Sequence, residues 1–346
     1  MAAPGEQIVV DKFGGSVLRR PEDIAAAVDV VVRQRDAGLR PVVVVSAFEG
    51  VTDTILGAAR VLLPDGGASL RQPVHAAGSG LARETDRALA TGEALSAALF
   101  AVGLQARAIP SRSFSGAEAG IRTAAAHLGA EVRRVLSRPL RAAIGDGMVP
   151  VVAGFQGIGT HGELTTLGRG GTDLSAVALA VALRALRCEL FKDVGGILEA
   201  DPHLVPAARF LPEVDALQLE LLAEMGAEVV HPVAVRRARR GRLNLVVRAL
   251  DDEAPQTVVR PMSRDEDGVL MLAVDRKERM ARVSLVGPAS MTPEVLPLPA
   301  HGEGAFDEGG MRVVWAEVPV ASAMSAAQAV HASFMGRRWT EPPPPR

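Results

Sequence analysis

The chain has 346 residues, of which 48% are hydrophobic and 23% are charged, and its formal net charge is −2. This length predicts about two domains, and the balanced charge argues against nucleic acid or an anionic membrane as a partner. The single cysteine, Cys188, excludes an internal disulfide, and such cysteine usage is typical of a reducing compartment. We therefore expect a cytoplasmic protein with no membrane-spanning segment.

Lysine is nearly absent from the chain. Only Lys12, Lys192 and Lys277 stand among its 38 basic residues. A coding bias toward arginine explains this scarcity without any function, but a lysine that persists against such a bias is favoured where a compact ammonium is needed. Lys12 and Lys192 are therefore candidate functional residues.

The N-terminal part predicts a strand, a glycine-rich loop, a helix and a second strand. Residues 7–11 form a short apolar run, and 41–45 form a continuous β-branched run, which is typical of a strand buried on both faces of a parallel sheet. A helical pattern opens at Pro21 and ends near Gly38. KFGGSV at 12–17 fills the loop, where backbone NH groups and the helix N-terminus together suit a phosphate. A glycine pair after a strand is also typical of a plain tight turn.

The next segment continues the alternation of helices and strands. Ser46 follows the second strand, at the edge where open α/β sheets bind ligands. A long helix begins near Arg83 and contains Gly92, which marks either a helix break or a close approach by another element. Glu93 then lies beside whatever approaches, or is simply exposed. The other elements expected here are a helix after Thr52, a strand at 106–109, a helix at 131–145 and a strand within 148–157.

The stretch TTLGRGGTDLSA at 165–176 is chemically the most informative. Arg169 offers a planar fork that suits a carboxylate or a phosphate. Gly170 and the glycine after it remove Cβ atoms where a ligand comes close. Thr172 is a suitable N-cap for the helix that begins near Asp173. The alternative is a glycine-rich turn before a helix, with no ligand.

The pattern through residue 250 predicts one large three-layer α/β domain with a mostly parallel sheet. The composition then shifts to a polar connector, a small α+β module with an irregular loop at 288–310, and an extended polyproline tail. The predicted boundaries are 1–250, 251–268, 269–338 and 339–346. The elements expected after 173 are helices at 174–187, 213–225 and 233–241 and strands at 188–192, 226–232 and 243–250.

Seven stretches in this order resemble those of the aspartokinases, within the amino acid kinase family. The resemblance covers about residues 7–250. The stretches are KFGGSV at 12–17, VVSAFEGVTD at 44–53, RETDRALATGEALS at 83–96, VVAGFQG at 151–157, TTLGRGGTDLSAVALA at 165–180, DVGGILEADP at 193–202 and GAEVVHP at 226–232.

The resemblance implies a three-layer αβα sandwich that transfers a phosphoryl group from ATP, with Mg²⁺, to the side-chain carboxylate of L-aspartate. It implies that Lys12 stabilises charge on the transferred group and that Asp173 organises this lysine or helps to orient Mg-ATP. Such enzymes need positioning and charge neutralisation more than covalent chemistry. No protein ligand to a metal is predicted, and a homodimer or larger homo-oligomer is expected.

The resemblance also assigns binding roles. Arg169 would clamp a carboxylate of aspartate, Glu93 would take its ammonium group, Ser46 and Thr52 would donate hydrogen bonds, and Gly170 would admit the substrate. The residues implied for the nucleotide are Lys12, Phe13, Gly14, Gly15, Ser16, Lys192, Asp193, Leu198, Asp201, Pro202, His203 and Glu228.

Several positions depart from the family pattern. The common KFGGTS is KFGGSV here, so Ser16 replaces a threonine and Val17 a serine. Leu198 and His203 replace an aromatic residue and an arginine, and Glu228 stands where many members have a lysine that faces the phosphates. We hypothesise that Lys192, at a position where threonine is common, supplies the charge that position 228 lacks. The alternative is drift in a variable loop.

The C-terminal region has room for only one ACT-like module, whereas family members usually carry two that bind lysine or threonine. We expect a shortened ACT-like module with little or no feedback inhibition. Two other functions remain open: a kinase of a related small amino acid or modified aspartate, or a non-catalytic protein that binds nucleotide or amino acid and acts through a partner.

Overall fold

The computed structural model describes residues 7–63, 74–75, 80–261, 269–290 and 292–335. The polyproline tail predicted at 339–346 and residues 262–268 of the connector lie outside the described residues. The described chain forms two compact units. One contains the described parts of Met1–Gly196 and Arg237–Val258, and the other contains those of Ile197–Arg236 and Val259–Arg346.

Secondary structure alternates along most of the described chain. The helices are α1 Ile24–Asp36, α2 Val51–Val61, α3 Gly80–Ala106, α4 Arg138–Gly145, α5 Gly171–Leu183, α6 Ala216–Glu224, α7 Pro232–Arg240 and α8 Ala323–Val330, with 3₁₀ segments at Pro21–Asp23 and Val320–Ser322 and a π-helical turn at His331–Met335. The strands are β1 Ile8–Phe13, β2 Arg40–Val45, β3 Val74–His75, β4 Ser111–Phe114, β5 Ile121–Thr123, β6 Ala126–His127, β7 Val132–Val135, β8 Val149–Ala153, β9 Gln156–Ile158, β10 Leu164–Thr166, β11 Arg187–Phe191, β12 Ile197–Leu198, β13 Phe210–Leu211, β14 Glu213–Asp215, β15 Asn244–Arg248, β16 Gln256–Arg260, β17 Met271–Arg276, β18 Met280–Pro288, β19 Gly302–Glu308 and β20 Met311–Pro319.

The first unit is built on a parallel sheet with neighbouring strands in the order β15-β11-β1-β2-β8-β4. Lys12 lies opposite Leu190 on one neighbouring strand and Val44 on the other. Because the strands run in one direction, their carboxyl ends meet at one edge of the sheet. The loops that follow β1, β2, β8 and β11 therefore converge there.

Side-chain alternation along these strands divides the sheet into two faces. One face contributes Phe13, Val45 and Phe191 to a core that also contains side chains of α1 and α3. The Phe13 and Phe191 rings stack there, with their centroids 4.6 Å apart. Lys12 alternates with Phe13 and points to the other face, where α5 contacts β1, β2 and β11. Helices thus cover both faces, and the predicted three-layer αβα arrangement is confirmed.

The long helix α3 runs without a break through Gly92 to Ala106. Of the two alternatives for Gly92, the close approach holds, because a Cβ there would lie 2.8 Å from Cβ of Ala47. By length and composition alone α3 is apolar enough to cross a membrane, which the sequence interpretation did not foresee. Half of its most apolar segment is buried within the fold, and α3 contacts β4, β8 and β10, so it is the core helix of this unit.

Two local predictions between 106 and 145 are wrong. The strand expected at 106–109 begins later, as β4 at Ser111–Phe114. The reason is that α3 continues to Ala106 and that Ala108 takes a left-handed backbone conformation with φ of 58°. The helix expected at 131–145 is divided into β7, which pairs with β5, and α4. Pro139, in the first turn of α4, favours a helix start at that point.

The second unit contains an antiparallel sheet in the order β17-β18-β20-β19. Its core combines side chains of this sheet, such as Val283, Leu285 and Val314, with those of α8, such as Ala327 and Val330. Helix α6 also packs on β17, β18 and β20. This is an α+β unit, as predicted for the C-terminal region, and it also takes in Ile197–Arg236.

Two sequence predictions in this unit are corrected. The loop predicted at 288–310 contains the strand β19, which pairs with β20. The strand predicted at 226–232 is absent from this described segment, where the chain is irregular before α7 begins at Pro232.

Candidate active site

Two lysines from neighbouring strands meet one aspartate at the start of a helix. Lys12 Nζ, at the end of β1, lies 2.7 Å from Oδ1 of Asp173 in the first turn of α5. Lys192 Nζ, just after β11, lies 3.5 Å from Oδ2 of the same carboxylate. The Lys12 and Asp173 side chains are each only 7% exposed. One negative charge faces two positive charges in a poorly solvated place, so the cluster suits an additional anion.

The protonation of this cluster follows from its geometry. Burial by itself would raise the pKa of the Asp173 carboxyl, but the charges of Lys12 and Lys192 lower that pKa to about 2. Burial also lowers the pKa of Lys192, and the charge of Lys12 adds to this effect, whereas Asp173 opposes it. Asp173 is therefore ionised at physiological pH, so its carboxylate is an ion-pair partner of the two lysines and is not ready to accept a proton.

The glycines after β1 leave space for the Lys12 side chain. A Cβ at Gly14 would lie 2.8 Å from Lys12 Nζ, and one at Gly15 would lie 3.3 Å from the carbonyl oxygen of Ala47. Backbone NH groups of Val17 and Leu18 donate to the Gly14 carbonyl and close the turn. The loop is therefore a cradle of main-chain groups beside an ammonium, which fits a phosphate group.

Arg169 lies in an exposed turn directly before α5. The turn depends on glycine, because Gly168 and Gly170 take left-handed backbone conformations with φ of 75° and 71°. Among the described residues, none forms an ion pair with the Arg169 guanidinium. The N-cap of α5 is Gly170, and not Thr172 as predicted, because the left-handed turn starts the helix earlier.

Glu93 is 3% exposed on the inner face of α3. The backbone NH of Ala47 donates to its Oε1 at 3.1 Å, whereas Oε2 is buried without a hydrogen-bond partner in the described structure. Burial raises the pKa of Glu93 from 4.5 to about 7, although the Ala47 bond opposes the shift. A buried carboxylate oxygen without a partner suits a cationic ligand such as an ammonium group.

Other predicted residues of the first unit lie in the same loops. The backbone NH of Ser46 donates to the Phe13 carbonyl at 3.0 Å, and the Ser46 side chain is half-buried. Thr52 is half-buried in α2, next to Val51, which packs against Gly92. Ser16 is half-buried in the glycine turn and Asp193 is exposed after β11. The Phe13 ring lies in the core, so only its main chain is available at the strand end.

The remaining predicted nucleotide residues belong to the second unit. Leu198 is half-buried on β12, opposite Phe210. Asp201, Pro202 and His203 form an exposed turn, in which the His203 backbone NH donates to Oδ1 of Asp201 at 2.9 Å. Glu228 is exposed in the irregular segment before α7.

A buried polar network near the Arg169 turn was missed by the sequence interpretation. Asp86 is fully buried on α3, where its Oδ2 lies 2.6 Å from Nδ1 of His127 and its Oδ1 accepts hydrogen bonds from Thr166 and the backbone of Leu128. The available signal was the spacing of Asp86 and Glu93, because residues seven apart on a helix share one face. The partners on β6 and β10 are distant in sequence and had no such signal.

No group of three or more His, Cys, Asp or Glu side chains is arranged to hold a metal ion in the described part of the chain. Mg²⁺ in kinases is commonly held by one or two carboxylates together with phosphate oxygens and waters. Both oxygens of Asp173 already face an ammonium. The Asp173 carboxylate is therefore paired within the protein, whereas Asp193, shortly after β11, is exposed.

Comparison with known proteins places this geometry in a family. The sequence profile of the amino acid kinase family matches residues 7–249. The chain belongs to the amino acid kinase family. Curated members similar to it include an aspartokinase of Mycolicibacterium smegmatis, 38% identical over 285 residues, and aspartokinase 2 of Bacillus subtilis (strain 168), 34% identical over 283 residues.

The match covers most of the length of this chain but a smaller share of the length of those relatives. It spans 81% of the chain and 64% of the M. smegmatis protein, and 82% of the chain and 66% of the B. subtilis protein. Among solved structures of the family, E. coli aspartokinase III in complex with aspartate and ADP aligns with a TM-score of 0.78. That alignment covers 95% of this chain and 100% of the other at 22% identity, so it establishes a shared fold.

Proposed function

We propose that this protein phosphorylates the side-chain carboxylate of L-aspartate with ATP to give 4-phospho-L-aspartate. A carboxylate oxygen of aspartate attacks the γ-phosphorus, the bond from that phosphorus to the β–γ bridging oxygen breaks, and ADP leaves. The acceptor carboxylate is already ionised at neutral pH, so the reaction needs no general base. This agrees with a site whose central acid, Asp173, has a pKa of about 2.

The observation that carries this proposal is the cluster of Lys12, Asp173 and Lys192. Its excess positive charge lies beside the Gly14 cradle, at the carboxyl edge of the sheet. Preorganised cations of this kind stabilise the charge that develops during phosphoryl transfer. The aspartokinase names of the relatives support the same reaction.

Two groups would recognise aspartate, namely the Glu93 carboxylate and the Arg169 guanidinium, and neither has an ion-pair partner within the described structure. The buried Oε2 of Glu93 suits the substrate ammonium, and the Arg169 fork suits a carboxylate in bidentate geometry. Ser46 and Thr52 lie beside the segment that Glu93 and Gly92 contact, where their hydroxyls would add hydrogen bonds. E. coli aspartokinase III has been solved with aspartate and ADP, which supports this pairing of ligands.

The nucleotide would be held mainly by the cradle at Gly14, Gly15 and Ser16 together with Lys12 and Lys192. The set fits a polyphosphate, because it combines backbone NH groups with two ammonium groups. Mg²⁺ supplies charge neutralisation on the phosphate oxygens when bound. We propose that Lys192 provides the positive charge that the sequence lacks at position 228, and that Asp193 also contributes to nucleotide binding. The roles of Leu198, Asp201, Pro202 and His203 in nucleotide binding stay sequence predictions.

The regulatory proposal concerns the C-terminal residues 269–338. We propose that they form one shortened ACT-like module after a catalytic domain of residues 1–250, and that feedback by lysine or threonine is weak or absent. Strong inhibition of the purified enzyme by lysine or threonine would contradict this. We also propose a cytoplasmic homodimer or larger homo-oligomer, which light scattering on the purified protein tests.

A substrate panel tests the proposed reaction. ADP release is measured with ATP, Mg²⁺ and, in turn, L-aspartate, L-glutamate, succinate and β-alanine. Succinate lacks the ammonium group and β-alanine lacks the α-carboxylate, so each removes one proposed contact. We expect turnover with L-aspartate to exceed that with the other compounds by at least about tenfold. Turnover only with another amino acid, or none with any, would exclude aspartate as the substrate.

A further inference from the structure

The Asp86 network joins helix α3 to the turn that carries Arg169. Asp86 is fully buried, and its carboxylate has three partners: the His127 ring, the Leu128 backbone NH at 3.1 Å and the Thr166 hydroxyl. Thr166 ends β10, three residues before Arg169. Burial raises the pKa of the Asp86 carboxyl, and its hydrogen bonds with Thr166, His127 and Leu128 oppose that shift. A buried carboxyl group with three hydrogen-bond partners is costly to leave unsatisfied, so it anchors the end of the strand.

The main chain of Thr166 is held by the same segment that carries His127. Its carbonyl accepts hydrogen bonds from the backbone NH groups of Gly129 at 3.1 Å and Ala130 at 2.8 Å. A Cβ at Gly168 would lie only 3.3 Å from Cα of Gly129, so the segment 127–130 packs directly on the Arg169 turn. Thr166 is therefore fixed through both its side chain and its backbone.

The backbone of Leu128 is in an unfavourable conformation within this network. Its φ is 60°, in the left-handed region that residues with a Cβ rarely occupy. The hydrogen bond from its NH to Asp86 holds this conformation. Such strain persists only where surrounding contacts impose it, and it is concentrated at functional sites.

Asp86 and Glu93 lie on one buried face of α3, two helical turns apart. Glu93 reaches the loop after β2, and Asp86 reaches the turn before α5. One rigid helix thus supports both groups that would recognise aspartate. The ammonium site is on the helix itself, and the carboxylate site is held by it through Thr166.

We propose that Asp86, acting with His127 and Thr166, is a positioning residue that fixes the Arg169 turn relative to Glu93, and so sets the length of amino acid that the site accepts. The inference rests on the proposed function, because it takes Glu93 and Arg169 as the two ends of the substrate site. A loosened turn would weaken binding of aspartate and would accept glutamate, which is one methylene longer, more readily. Nucleotide binding at the Gly14 cradle would not change.

The test compares Thr166→Val with Thr165→Val. Both change a buried threonine of β10 to an isosteric apolar residue, but the Thr165 hydroxyl bonds to the Thr123 hydroxyl at 2.7 Å, whereas Asp86 is bonded to His127, Leu128 and Thr166. Thr166→Val should raise the KM for aspartate about tenfold, because it leaves a buried oxygen of Asp86 without its side-chain hydrogen bond, and should lower the preference for aspartate over glutamate. The KM for ATP should stay within about twofold, and Thr166→Ser should restore aspartate binding.

Three results would overturn the proposal: an unchanged KM for aspartate in Thr166→Val, a parallel rise in both KM values, or an equal effect of Thr165→Val. Asp86→Asn is the second variant if Thr166→Val does not fold. If the wild-type protein has no aspartate-dependent turnover, the proposed function fails and hydrogen–deuterium exchange decides the positioning. Thr166→Val must then raise amide exchange in 167–171 while Thr165→Val does not, and equal exchange in both would reject the network's role.

Discussion

The ammonium of Lys12 lies 2.7 Å from a carboxylate oxygen of Asp173, which joins the end of β1 to the first turn of α5. Both side chains are almost completely buried. The pair holds the lysine in place before a ligand arrives, and such preorganisation lowers the cost of stabilising charge in a transition state. Lys192 shares the same carboxylate, so the net charge of these three side chains is positive.

Replacing Lys12 tests whether this ammonium acts on the reacting phosphate. Lys12→Ala should lower kcat by about 100-fold or more, as expected for the loss of one preorganised electrostatic contact. Initial rates at saturating ATP and aspartate measure the effect. Lys277→Ala is the matched control, because the Lys277 side chain is 68% exposed in the second unit and pairs only with Asp275 among the described residues. Equal rates for Lys12→Ala and the control would exclude a catalytic role.

Replacing Lys192 tests the charge-compensation proposal. Lys192→Ala should weaken ATP binding and slow turnover, each by more than about twofold, because a phosphate loses a cation in a buried site. The ATP KM and kcat of Lys192→Ala and of the wild type are the measurements. Values for Lys192→Ala within twofold of wild type would show that the compensation idea is wrong.

Glu93 should make stability depend on pH in a defined direction. Its pKa rises from 4.5 to about 7 on folding, because burial disfavours the charge, so the folded protein binds this proton more tightly than the unfolded chain. Its contribution to the free energy of unfolding therefore falls as pH increases from about 4.5 to about 7, by on the order of 3 kcal/mol. Glu93→Gln should melt at a higher temperature than wild type at about pH 8, with the two converging near about pH 4.5.

Glu93 should also control aspartate binding, which should strengthen as pH rises, whereas the contribution of Glu93 to stability falls. Below about pH 7 the protonated Glu93 no longer attracts an ammonium, so the KM for aspartate should rise by up to about tenfold per pH unit. Glu93→Gln should have a high aspartate KM with this pH dependence removed. Glu84→Gln, an exposed position on the same helix, is the control. An aspartate KM of Glu93→Gln equal to that of wild type would contradict an ammonium site.

Gly14→Ala tests the fit of the glycine cradle. The added Cβ would lie 2.8 Å from Lys12 Nζ, so the ammonium must move away from its position beside Asp173. Turnover should fall by about tenfold or more through the weakened electrostatic contact, and the ATP KM should rise. Gly57→Ala, in α2 with open space around the new methyl group, should leave activity unchanged and stabilise the helix by about 0.5–1 kcal/mol. Wild-type activity in Gly14→Ala would show that the cradle tolerates a side chain.

Much of the fold was predictable because its signals are local. The run at 41–45 identified a buried strand, and the glycines at 14, 15 and 170 identified turns at strand or helix ends. The family motifs also identified the lysine and the acid that form the ion pair. The helix expected at 131–145 failed because pairing of β7 with β5 overrides helical periodicity.

The contacts that define the site were less predictable. That Lys192 reaches Asp173 depends on the parallel register of β1 and β11, which places Phe13 opposite Phe191. The Asp86 network depends on β6 and β10 meeting α3 in space. Single-sequence patterns contain spacing within an element but no distances between elements, so these contacts required the three-dimensional structure.

Hydroxamate trapping tests the central claim most directly, because an acyl phosphate reacts with hydroxylamine to give a hydroxamate. The purified protein is incubated with ATP, Mg²⁺, L-aspartate and hydroxylamine, beside Lys12→Ala and a sample without aspartate. The account predicts aspartyl hydroxamate in stoichiometric proportion to ADP for the wild-type protein, and almost none in the two comparisons. ADP without hydroxamate would contradict the proposed aspartate kinase activity. The absence of both products from a correctly folded sample would contradict it too.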